Sequence, residues 1–174
     1  MFRKVLWLIL VIFTLNNLTN AQEAKWLHKL KQITPLESTE RDVEKIFNKP
    51  TEQYGNIREY KTKEGILSVT YSTGECDSNL SDYDVDKGIV IEFDFSFEKI
   101  IMFKSLNINL AEFEKEESSD TQNIIYKNNQ LGIDYDIYKK TIEGISYDKS
   151  PELLNSISIY PSEKYSSFKC GKQK

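Results

Sequence analysis

Apolar and polar positions change period several times along the chain. Over Ala24–Ile33, Trp26, Leu27, Leu30 and Ile33 recur at helical spacing and predict a short amphipathic entry helix, which Pro35 ends. Ser38–Asn48 carries a sharper signal. Thr39 as N-cap with Asp42 three residues on makes a capping-box-like start, and Glu40 and Asp42 suit the positive helix end. Val43, Ile46 and Phe47 form one inward face, and Pro50 stops the helix. The period then drops to two. Asn56–Lys61 and Ile66–Ser72 flank Lys63-Glu64-Gly65 as a hairpin, with Leu67, Val69 and Tyr71 alternating against Ser68, Thr70 and Ser72. Gly88–Phe97 is the strongest strand, with Ile89, Ile91, Phe93, Phe95 and Phe97 on one face and Val90, Glu92, Asp94 and Ser96 on the other.

Ile100–Phe103 is expected as its return strand, and Leu110 and Phe113 predict a short helix over Asn109–Lys115. A second β region follows at Ile124–Lys127, Gly132–Tyr138 and Thr141–Tyr147, then a last strand at Ser156–Tyr160. The expected fold class is α+β, with one or two short helices packed on an antiparallel sheet built from hairpins. Two helix-hairpin units can be laid side by side. Tyr60-Lys61, Gly65-Ile66 and Tyr71 match Tyr126-Lys127, Gly132-Ile133 and Tyr138 at an offset of 66 to 67. The strand parity disagrees, so a true duplication would need a bulge in one copy.

The first 21 of the 174 residues differ from the rest. Arg3 and Lys4 precede the apolar run Val5–Leu15, and polar Asn16 and Asn17 lead to Ala21, the pattern of a secretory signal. The run is shorter than the ~20 residues needed to span a bilayer, although an uncleaved anchor stays open. Residues 22–174 then form one exported domain with a flexible C-terminal tail and no membrane span after cleavage. That domain has 21 Lys+Arg against 27 Asp+Glu, a formal charge of −6, which argues against nucleic-acid binding. About 35% of it is apolar, a thin core for its length. In an oxidising compartment Cys76 and Cys170, the only two cysteines, would join as a disulfide across 94 positions.

Candidate chemistry is sparse. His28 is the only histidine and reads as a surface residue, since it cannot build a His-rich zinc site or serve a Gly-x-Ser-x-Gly elbow that is missing. No glycine-rich phosphate loop occurs, so no nucleotide, flavin or other cofactor is expected. Glu92 with Asp94, and Asp134 with Asp136, share strand faces and could do acid–base work if one were desolvated; the alternative is the wet side of a half-buried sheet. Asp77, Asp82, Asp84 and Asp86 offer oxygens for a calcium loop, although Lys87 and Phe93 stand where an EF-hand needs Gly and Glu. Asn79-Leu80-Ser81 is a glycosylation sequon, meaningful on a eukaryotic secretory route.

The stretch Pro35–Pro50, with its polar cap, Val43 and closing Asn48-Lys49-Pro50, resembles the helix of the SmpA/OmlA (BamE-like) outer-membrane proteins, which precedes a two-stranded hairpin. Asn48 stands where that family prefers Gly, and its lipidated cysteine is missing. The resemblance covers about residues 33–76. It implies a helix-plus-hairpin unit of the β-lactamase-inhibitor-protein-like fold, acting through protein contacts and without catalytic residues. Trp26 through Tyr71–Cys76 is also similar in layout to uncharacterised exported bacterial proteins. The expected function is therefore a non-enzymatic binding module whose partner is a protein or envelope component. A carboxylate-dependent hydrolase of glycans or peptides, and a calcium-stabilised structural domain, are the alternatives.

Overall fold

A computed structural model describes residues 25–76, 83–106, 108–117, 123–139 and 151–170. The signal segment Met1–Ala21, the strand expected at Thr141–Tyr147 and the sequon at Asn79 lie outside the described residues. Two compact units are divided between Gln32 and Ile33. In the first, residues 25–30 form helix α1, where His28 is exposed with its Nδ1 3.0 Å from Gln32 Nε2.

The second unit corrects the expected α+β balance. It is mostly β, a single eight-stranded antiparallel sheet, and the described chain has only two α-helices. Helix α2 (Glu40–Phe47) starts at a full capping box: the Asp42 N–H donates to Thr39 Oγ1, and the Thr39 N–H donates to Asp42 Oδ2 at 3.1 Å. Strands β1 (Glu52–Tyr54), β2 (Ile57–Lys61), β3 (Gly65–Tyr71) and β4 (Val90–Met102) form one meander. Strands β5 (Glu114–Glu117), β6 (Asn123–Asn128), β7 (Ile133–Lys139) and β8 (Glu152–Ile159) form another. They meet last strand to last strand, in the order β1-β2-β3-β4-β8-β7-β6-β5.

Three expectations fail for identifiable reasons. The return strand at Ile100–Phe103 does not exist, because β4 runs on to Met102 through a register shift between Ser96 and Ile101; Glu98-Lys99 holds no residue that favours a tight turn. The helix over Asn109–Lys115 is only a 3-10 turn, Leu110–Glu112, capped by the Asn109 side chain and followed by β5. Val90, expected on the wet face, is buried, because Tyr71 pairs with Val90 and Thr70 with Glu92, leaving Ile91 as an extra residue.

One face of the sheet carries the core. Following the register across it gives the row Tyr60, Leu67, Phe95, Ile157, Tyr135 and Tyr126. Helix α2 covers the first half, with Val43 buried and Phe47 6.4 Å from the Tyr60 ring. The connection from β4 to β5 covers the second: Phe103 stacks on Tyr126 at 5.5 Å, and Phe113 lies 5.5 Å from Tyr135. Each fully buried side chain in this row is worth about 1.5–3 kcal/mol relative to exposure.

The parity conflict between the two hairpins persists in the register. Tyr60 pairs with Leu67 and Tyr126 with Tyr135, so the second hairpin has two more residues between partners, and Tyr71 is buried whereas its match Tyr138 is exposed on the other face. Gly65 and Gly132 nevertheless both admit a close backbone neighbour. A Cβ on Gly65 would lie 2.0 Å from the Ser96 carbonyl oxygen, and one on Gly132 2.0 Å from that of Tyr160. Only hydrogen at Cα lets the neighbouring backbone approach this closely.

Candidate functional site

The opposite face of the sheet is left open by both α2 and the β4–β5 connection. Its residues follow from strand alternation. One cross-strand row reads Glu52, Glu59, Ser68, Asp94, Ser158, Asp134, Lys127 and Glu114. The next reads Lys61, Ile66, Ser96, Ser156, Asp136, Ile125 and Glu116. On this face β8 thus presents the short Ser156 and Ser158, with Asp94 of β4 on one side of it and Asp134 and Asp136 of β7 on the other.

The sequence-predicted acid pairs Glu92/Asp94 and Asp134/Asp136 both lie here, and β8 brings them onto one surface. Asp94 and Asp134 flank Ser158 from either side, about 10 Å apart at two strand spacings. Neutral groups hold these carboxylates. Ser158 Oγ donates to Asp94, Asn155 Nδ2 donates to Asp136 Oδ2 at 2.8 Å, and the Tyr160 hydroxyl donates to Asp134 Oδ1 at 2.8 Å. The other oxygen of Asp136, Oδ1, is buried without a hydrogen-bond partner. Burial pushes the Asp134 carboxyl above its ordinary value of 3.8, against the Tyr160 hydrogen bond and Lys127, and the Asp94 charge adds to the rise. Burial, with the Asp134 hydrogen bond and charge behind it, also holds the Tyr160 phenol well above its ordinary value. The lysines on this face are already engaged: Lys127 Nζ lies 2.7 Å from Glu116 and Lys61 Nζ 3.9 Å from Glu98.

Beyond the acids the surface turns apolar. Met102 pairs with Leu153, and Leu153 with Tyr138, so these three form a row on the open face, with Ile100 beside Met102 along β4. Ile100 is 74% exposed, Met102 43% and Tyr138 41%. Sequence reading missed this strip because its members come from three strands whose pairing is set by the two register shifts around β8. A separate polar hollow of about 300 Å³ lies at the β6–β7 turn, lined by Glu112, Glu114, Glu163 and the buried Asn128 among others.

Cys76 and Cys170 are joined, with Cα atoms 5.6 Å apart. The bond fastens the 3-10 helix Glu163–Phe168 beside residues 83–84, where the Asp84 N–H donates to the Phe168 carbonyl at 2.8 Å and Tyr83 bridges to Lys169. Of the proposed calcium ligands, Asp84 and Asp86 are exposed, and Asp77 and Asp82 lie outside the described residues. Among the described residues no helix is long and apolar enough to cross a membrane. Compared with protein-family models, curated proteins and solved structures, the chain matches none of them.

Proposed function

We propose that the protein is an exported, non-enzymatic interaction module of the cell envelope whose working surface is the open face of the sheet. The observation that carries this reading is the composition of that face: central serines, carboxylates held by neutral donors, and an adjoining exposed apolar row. A merely wetted face would have no need of Ile100, Met102 and Tyr138 side by side, since contiguous exposed apolar groups mark contact surfaces. The disulfide is compatible with an oxidising compartment and so supports export. The resemblance of residues 33–76 to modules that act through protein contacts points the same way.

Carboxylate-dependent hydrolysis is less well supported. Glycosidase acids face each other across a cleft at about 5–9.5 Å, whereas Asp94 and Asp134 lie side by side on one sheet face, about two strand spacings apart, with no described element forming a cleft over them. The interaction reading is tested with a photo-reactive amino acid placed at Ser96 or Ser156 in the producing cells, with the exposed Arg41 on α2 as the control position. A discrete adduct formed from the serine positions and not from Arg41 is expected, in a product lacking Met1–Ala21. Identical adducts from both surfaces, or none from either, would remove the reading.

A further inference from the structure

We propose, building on the interaction reading, that the open face receives a cationic protein segment, one that presents a lysine or arginine and an apolar side chain on the same side. Charge is the first argument. Asp94, Asp134 and Asp136 are hydrogen-bonded by Ser158, Tyr160 and Asn155, all neutral, and none of the three forms an ion pair with a described residue. Lys127, paired across the strand with Asp134, offsets part of that charge, and no other described cation pairs with the three carboxylates. Glu52, Glu59 and Glu114 extend the same sign across the sheet, and the lysines beside them are taken up by Glu116 and Glu98. Such a surface concentrates and orients positive groups and repels anionic lipid and nucleic acid.

Shape and spacing supply the second argument. Ser156 and Ser158 keep the line of β8 low, so a backbone can approach between Asp94 on β4 and the acids of β7. Along β7, Asp136 and Tyr138 point to the same side two residues apart, about 7 Å. An extended segment places its own alternate side chains at that same interval. A basic side chain over Asp136 therefore brings the next side chain of that face onto Tyr138, with Leu153 and Met102 beside it. A second copy of this chain is a poor occupant, since it brings the same acids with it.

The full chain, with its disulfide intact, is titrated with three short fluorescent peptides that carry serine at every second position and, at the positions between, alternate lysine with leucine, lysine with serine, or glutamate with leucine, so that each alternating pair shares one face of an extended chain. The lysine–leucine peptide is expected to bind about tenfold more tightly than either of the others, and to weaken as salt is raised. Asp94→Asn with Asp134→Asn, and separately Met102→Ser with Tyr138→Ser, should each weaken it about tenfold, while Glu117→Gln on the far edge strand leaves it unchanged. Unchanged melting temperatures confirm that the variants are folded. Equal binding of the lysine–serine peptide, or indifference to both pairs of substitutions, overturns the proposal, and so does absence of binding. Tight binding of the glutamate–leucine peptide that is lost on Tyr138→Ser overturns the cationic partner while leaving the interaction surface standing.

Discussion

Replacing Cys76 and Cys170 by serine tests how much of the stability depends on the crosslink. The bond closes a loop of 94 positions, and loop-closure entropy for that length is about 4.7 kcal/mol at 25 °C. A domain of this size has a total stability of about 5–15 kcal/mol, so the loss is a large fraction of it. Native contacts at the site offset little. The Asp84–Phe168 hydrogen bond, the Tyr83–Lys169 bridge and the Tyr165 hydroxyl's bond to Glu37 all hold the tail locally and add nothing to the unfolded state's constraint. Urea unfolding followed by tyrosine fluorescence should show the midpoint falling by about 2–3 M for a slope of about 1.5–2 kcal/mol/M. The slope itself should rise, because the uncrosslinked chain exposes more surface. A midpoint within about 0.5 M of the parent would refute the argument from chain entropy.

Three further outcomes follow from the same packing. Tyr60 and Tyr71 share a buried hydroxyl–hydroxyl hydrogen bond of 2.9 Å, so Tyr71→Phe should cost about 1–3 kcal/mol and Tyr60→Phe in the same chain should restore part of it, as a double-mutant cycle by urea unfolding would read. Gly65→Ala and Gly132→Ala should each destabilise by about 2 kcal/mol or more, because the new methyl meets a neighbouring backbone carbonyl, with the positive φ of Gly132 adding strain; thermal unfolding checks both. The hydrogen bond and charge of Lys45, with the Thr39 bonds, hold the exposed Asp42 carboxyl well below its ordinary value of 3.8. The unfolded chain therefore binds a proton first, so this contribution is present above that value and is lost as pH falls below it. Asp42→Asn should flatten the acid limb of the stability curve, and Thr39→Ala should cost about 1 kcal/mol at neutral pH.

Local signals in the sequence led correctly to α2, whose capping box, Val43–Phe47 face and terminal Pro50 act within one helix length. They led also to β3, where Leu67, Val69 and Tyr71 are buried as their alternation implies. They failed at β1 and β5, because Glu52–Tyr54 and Glu114–Glu117 are exposed throughout and an edge strand of charged residues has no apolar period to read. They failed again at the end of β4, where Phe97 is only half-buried beside a register shift that depends on β8. The open face was half legible. Each acid pair announces its own strand face, but only the pairing of β4 and β7 with β8 puts Asp94 and Asp134 on one surface, and no local pattern records that.

The strand order has a consequence for how the chain assembles. Within each meander every strand pairs with its neighbour in sequence, so β1–β4 can form early from short-range contacts. The closing step is the joining of β4 to β8, about 60 residues away, and until it happens β4 keeps an unpaired edge that includes Phe93 and Phe95. A β8 from another molecule fits that edge as well as the chain's own, so crowded synthesis should yield dimers that have exchanged their second meanders. Diluting the refolding chain should shift the products back toward monomer.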